Sequence, residues 1–186
     1  MMISTQSTNF AAEIENLIMM KKLLLLAVMA IAATAATAQS ESSESLYEKV
    51  YKDASEKVND PNASVETIEI NQFKVTVLNY IGQQVESRNL QKDSYFYDSQ
   101  AVNLKCFVDE FIINVTKARA ISTEKRLQVI GIYRDASLNN PLFGDTDKDR
   151  TYCYVNDTKT YTPFSLDTDW EKAYNDATAK VKAALQ

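Results

Sequence analysis

Between Asp98 and Ala118 the chain carries apolar residues at helical spacing: Leu104, Phe107, Val108, Phe111, Ile112 and Val115 share one face. At about 100° per residue, Val102, Cys106 and Ile113 fall on the opposite side. A helix apolar on two sides is expected at the centre of a bundle, or with its second stripe against a partner. Either way this segment, capped by Asp98 or Ser99, requires other helices around it.

The rest of the sequence supplies them. Leu46, Val50, Ala54 and Val58 recur every four residues, predicting a helix that stops before "NDPN" at Asn59–Asn62. Ile70, Phe73, Val77, Tyr80, Ile81 and Gln84 predict a second helix from Ile70 to Val85, with a strand over Val65–Ile70 as the competing reading of its start. The β-branched run Val75–Val77 favours helix less than straight chains would. "RNLQKDSYFYDS" then reads as a connection. After the central helix, Val129, Ile132, Tyr133 and Ala136 have the i, i+3, i+4, i+7 spacing of a fourth helix over Ser122–Ala136, in which Gly131 would allow close packing, with a buried strand over Val129–Tyr133 as the competing reading. "SLNNPLFGDTDKD" breaks the pattern at Pro141 and Gly144. Residues Arg150–Val155 read as a short helix or strand, and the alternation of Tyr152 and Tyr154 favours strand. Thr168 and Glu171 have capping-box spacing, and Trp170, Tyr174, Ala177, Val181 and Ala184 line the last helix. The expectation is an all-α fold: a single helical-bundle domain of about five helices over residues 46–186, with a short strand near Tyr152–Tyr154.

Ahead of this body lies "MKKLLLLAVMAIAATAATAQS". Lys21 and Lys22 precede an apolar run, Leu23–Ala33, and Ala36-Thr37-Ala38 makes a small-residue cleavage site. The run is shorter than the roughly 20 apolar residues of a membrane span. Residues 20–38 therefore read as a secretory signal peptide, and cleavage leaves Gln39 as the new N-terminus, with 39–45 a frayed polar lead. No cysteine stands at the junction, so lipoprotein anchoring is not indicated. The chain is expected to be exported, periplasmic or secreted, without a stable span after cleavage. Residues 1–19, with Glu13 and Glu15 ahead of a basic n-region, read as a gene-model extension, and translation is expected to start at Met19 or Met20.

Composition closes several functional classes. No histidine occurs, which removes Ser-His-Asp and Cys-His catalysis, His-ligated zinc and an imidazole pH switch. The three glycines, Gly82, Gly131 and Gly144, are too far apart for a phosphate-cradling loop. A net charge of −5 without a basic run argues against nucleic acid and anionic membrane surfaces. Cys106 and Cys153 would either form a disulfide in an oxidising compartment or stay as two buried thiols, and spacing does not decide.

Three groups of residues are candidates for chemistry or binding. Asp145, Asp147 and Asp149 start like a calcium loop, yet Arg150 and Asn156 stand at the sixth and twelfth positions, where the motif needs glycine and glutamate. Tyr95, Phe96 and Tyr97, with Tyr152 and Tyr154, offer the rings that partner surfaces favour, for protein or for sugar, or else pack internally. The acidic pairs Asp109–Glu110 and Asp167–Asp169 would serve glycoside hydrolysis only across a cleft at a set separation. Sequons begin at Asn62, Asn114 and Asn156.

The segments "NNPLFGDTDKD" (Asn139–Asp149) and "FSLDTDWEKA" (Phe164–Ala173) resemble stretches of small exported proteins of the Bacteroidetes type, over the C-terminal half. The resemblance implies export from a Gram-negative cell and assigns no residue a role. The expected function is a non-catalytic exported domain, without a cofactor, that binds a protein or envelope component. A carboxylate-based glycan enzyme and a calcium-stabilised domain are the alternatives.

Overall fold

Each helix begins where a short polar side chain takes a backbone N–H of the first turn. In the computed structural model, which describes residues 44–145, 150–155 and 160–186, α1 (Leu46–Val58) is capped by Ser45 and α2 (Val65–Ser87) by Ser64. Asp93 caps α3 (Ser94–Ile121), and Ser122 caps α4 (Thr123–Leu138) while also ending α3. Asp169 caps α5 (Trp170–Ala184). Between α4 and α5 the strands β1 (Arg150–Val155) and β2 (Thr160–Ser165) pair antiparallel, from Arg150 opposite Ser165 to Val155 opposite Thr160.

The fold is thus a helical domain of five helices with one two-stranded ribbon among the described residues. The expected strand at Tyr152–Tyr154 is present, and its partner β2 was not foreseen. The competing strand over Val65–Ile70 is not: Ser64 starts α2 there. The expected caps also move. α3 starts at Asp93 rather than Asp98 or Ser99, so "SYFYDS" is helix rather than connection. α5 is capped by Asp169 rather than Thr168, whose hydroxyl donates to Ser137 O at 2.5 Å and Ser165 O at 2.7 Å. Ser45, expected in a frayed lead, forms a full capping box with Glu48. Asn89, in the left-handed region at φ +51°, closes α2, with the Leu90 N–H on Val85 O at 2.9 Å.

α3 is central, packed by α1, α4 and α5, while β1 lies on α2 and β2 on α4. Its buried face carries Leu104, Phe107, Val108, Phe111 and Val115, as the spacing predicts. The second stripe is not core: Val102 and Cys106 are half-buried and Ile113 is exposed. The core's centre is a cluster of rings. Phe164 of β2 meets Phe73 of α2 at 5.7 Å and both Phe107 and Phe111 of α3 at about 5.3 and 5.2 Å, centroid to centroid. Trp170 and Tyr133 join from α5 and α4 in edge-on contacts with Phe107.

A second tie joins the two segments flanking the ribbon. The Asp169 N–H reaches Asn140 O at 2.6 Å, the Leu142 N–H bonds Asp167 O, and Pro141 lies opposite Thr168 as an isolated bridge. The Asp167 carboxylate, fully buried, accepts the N–H groups of Phe143 and Asp145. Burial pushes its carboxyl up, against the downward pull of these backbone donors. Gly144, between them, sits at φ +86°, where a side chain is strained.

Two tests follow. Phe164→Ala should lower unfolding free energy by about 3–5 kcal/mol in urea melts followed by Trp170 fluorescence, with Phe164→Leu costing clearly less. Gly144→Ala should destabilise by about 1 kcal/mol. Gly131→Ala should stabilise by about 1 kcal/mol, because an added methyl in mid-α4 meets only the Arg134 guanidinium at 3.8 Å, not the close-packed neighbour expected there. Equal melting midpoints for the two glycine variants would contradict this account.

Candidate functional site

The aromatic trio opens α3, and helical rotation of about 100° per residue sends the three rings different ways. Tyr95 points outward and is 71% exposed. Phe96 packs edge-on to Tyr97 at 5.5 Å, with the Lys92 ammonium 4.7 Å from its ring centre. Tyr97 turns to α1 and meets Tyr47 edge-on at 5.5 Å. Tyr152 is also exposed, but on β1, a strand that packs against α2 and borders neither cleft described below. Tyr154 lies on the same strand, opposite Tyr161. The three rings thus share the start of α3 but point in different directions, and Tyr152 lies away from both clefts.

Two clefts flank the trio. The first, of about 390 Å³, is lined by Phe96, Gln100, Leu142, Asp169, Glu171 and neighbouring α5 residues. Its polar groups are mostly committed within the fold. Gln100 accepts the Trp170 N–H at 2.8 Å and donates to Asp169 at 3.2 Å, and Ser99 donates to Glu171 at 2.5 Å. The second, of about 310 Å³, lies between the starts of α1 and α3 and is lined by Ser45, Tyr47, Glu48, Ser94, Tyr97 and Asp98. Tyr47 is fixed at both ends: its N–H donates to Asp98 Oδ1 at 2.8 Å and its hydroxyl to Leu78 O at 3.0 Å. Burial, with Tyr51 and Tyr97 nearby, raises the Tyr47 hydroxyl pKa, so it stays a neutral donor.

Tyr47, Glu48 and Asp98 were not singled out from sequence. The signal existed: Tyr47, Val50, Tyr51 and Ala54 have i, i+3, i+4, i+7 spacing, and this stripe faces the core. Leu46, placed on the core face by the four-residue rhythm, is instead 49% exposed.

The other candidates serve the fold. Asp145 is ion-paired to Arg88, whose guanidinium also donates to Phe143 O at 3.0 Å and lies over the Phe143 ring. A carboxylate so paired is poorly disposed to a hard cation, and Asp147 and Asp149 lie outside the described residues. Among the described residues no group of three or more His, Cys, Asp or Glu is placed to hold a metal ion. Asp167 binds the loop N–H groups and Asp169 caps α5, so that acidic pair is tied into the backbone. Asn114 donates to the Tyr133 hydroxyl at 2.9 Å.

The cysteines are unpaired, so the bridge weighed for Cys106 and Cys153 is not formed. Cys153 projects from β1 into the core, and burial pushes its thiol up to about 12. Cys106 sits half-buried on the far side of α3, with its thiol raised by burial too. Raised pKa values leave both thiols poor nucleophiles.

Asp109 and Glu110 do not face each other across a cleft. They are consecutive on α3, and Glu110 accepts the Tyr174 hydroxyl at 2.8 Å. Asp109 bridges two ammonium groups, Lys74 at 2.6 Å and Lys105 at 2.8 Å. The Lys74 side chain is only 5% exposed, so this carboxylate is its compensation. Burial raises the Asp109 carboxyl, but the two lysines outweigh it and hold the group below its ordinary value. A lowered folded pKa contributes stability above the unfolded value of about 3.9 and loses it as pH falls through the folded value. Asp109→Asn should therefore cost about 2 kcal/mol at pH 7, discounted for the partial exposure of the carboxylate. The gap to wild type should narrow in urea melts near pH 3, and a pH-independent gap would refute the assignment.

Comparison with family models, curated proteins and solved structures finds no match to the chain.

Proposed function

We propose that the chain is an exported, non-catalytic binding domain that engages a protein or cell-envelope component through the face where α1 and α3 begin. The observation carrying this reading is the exposure of Tyr95 beside a cleft walled by Tyr47 and Tyr97, where Leu46 is also open. Tyrosine gives large contact area and a hydroxyl at low conformational cost. The acids that could have suggested hydrolysis are held in ion pairs, caps and backbone contacts, which favours binding over catalysis.

Export rests on the basic, apolar and small-residue order of Lys21–Ala38. No helix among the described residues is long and apolar enough to cross a membrane.

The test is recovery of the protein from the envelope fraction of its native cell with a photo-crosslinking residue at position 95 or, separately, at position 127. Leu127 is 58% exposed on α4 and serves as the control. The product should begin at Gln39 and carry a discrete adduct from position 95 only. A full-length cytosolic chain would overturn export, and equal crosslinking from both positions would overturn the face.

A further inference from the structure

We propose that the cleft between the starts of α1 and α3 binds a lysine or arginine side chain presented by a partner polypeptide. This deepens the binding reading above and rests on it for the partner, although the site itself is argued from its own chemistry.

The lining combines two aromatic rings with two carboxylates, and no lysine or arginine is among it. Asp98 uses Oδ1 to accept the Tyr47 N–H, and Glu48 uses Oε2 to accept the Ser45 N–H at 2.9 Å. Each keeps its second oxygen outside the hydrogen bonds of the described residues. Several acids elsewhere on the described surface are ion-paired with bases: Asp53 with Lys57, Asp109 with Lys74 and Lys105, Asp145 with Arg88, Asp135 with Arg134. Asp98 and Glu48 have no ion-pair partner among the described residues, and they line the cleft together with the Tyr47 and Tyr97 rings. Rings with adjacent carboxylates are the environment an organic cation prefers, through cation–π attraction and charge-assisted hydrogen bonds. Tyr47, tied at both ends, presents its ring without further ordering cost.

The rival ligands fit less well. An anion would need free N–H donors, and the helix starts here are already capped, by Ser45 on Glu48 N and by Asp93 on Phe96 N. It would also meet two carboxylates. A neutral sugar finds donors in the lining hydroxyls and acceptors in the carboxylates, but it brings no positive charge to the two acids. A volume of about 310 Å³ suits the end of one basic side chain. The chain's net charge of −5 favours approach of a basic segment.

The test uses the purified protein and backbone-amide NMR. The probes are acetyl-Ala-Arg-Ala-amide, its citrulline counterpart, which keeps the shape and loses the charge, and maltose. The arginine peptide should give saturable shifts centred on Tyr47, Glu48, Tyr97 and Asp98, and bind about tenfold more tightly than the citrulline peptide. Binding should weaken as salt rises. Glu48→Gln, which keeps the capping-box acceptor, should weaken the arginine peptide about threefold. Equal binding of the charged and uncharged peptides, shifts centred elsewhere, an unchanged Glu48→Gln affinity, or preference for maltose would each overturn the cation site. If crosslinks form from position 95 but the arginine peptide does not bind here, the ligand assignment falls and the contact face stands. If the peptide binds here but position 95 yields no adduct, the cation site stands and the face falls.

Discussion

A two-stranded ribbon is marginal in water, because it has one face to bury and two open edges. This one persists because Phe164 enters a ring cluster to which α2, α3, α4 and α5 each contribute. The dependence runs both ways. α2 makes little direct contact with α3 and reaches it largely through β1, β2 and α1. Without the Phe164 ring, Phe73 would keep its route to Phe107 through Trp170 but lose the one through Phe164, and the space would be too large for the neighbours to fill by small shifts. The ribbon is therefore a wedge that lets a helical domain close around a gap between helices.

The wedge must be held at a fixed depth, and the contacts around Asp167 do this. Asn140 and Leu142 bond the backbone of Asp169 and Asp167, and the buried carboxylate of Asp167 gathers the N–H groups of the intervening loop. Arg88 closes the loop from the end of α2 through Asp145 and Phe143 O. The segments Asn139–Asp145 and Phe164–Ala173 are the two sides of this junction. Their pairing explains them structurally: buried Ser137, Ser165, Asp167 and Thr168 find partners in one another and in the backbone.

The helices were legible because their periods and caps are local. Phe107, Phe111, Tyr133 and Trp170 were placed on buried faces by spacing alone, and all four are buried. Cap positions were less legible, since several residues of equal chemistry compete. Asp93 takes the role expected of Asp98, freeing Asp98 to bind Tyr47 across to α1. Asp169 displaces Thr168, and Glu171 is drawn aside by Ser99. Strand β2 was not legible because Pro163 interrupts its alternation, although only four residues separate it from β1. The role of Asp167 was hidden for a different reason: its partners are backbone groups some twenty residues away, and no residue type marks them. Tyr95, Phe96 and Tyr97 could be named as a cluster, but which ring faces solvent depends on where α3 starts.

That start also decides the electrostatics of the cleft. Acidic side chains near a helix N-terminus are compensated by the unpaired amide dipoles of the first turn, without a neighbouring cation. Glu48 in the first turn of α1 draws on this source, while Asp98, beyond the first turn of α3, accepts the N–H of Tyr47 at the start of α1. Acids at mid-helix, such as Asp109, need lysines instead. The fold can thus hold two carboxylates beside Tyr47 and Tyr97 with no base of its own among the lining residues. Had α3 begun at Asp98, that carboxylate would have capped its own helix and could not have reached Tyr47. Beginning at Asp93, the helix carries Tyr97 and Asp98 past its first turn and against α1, and the cleft follows from that register.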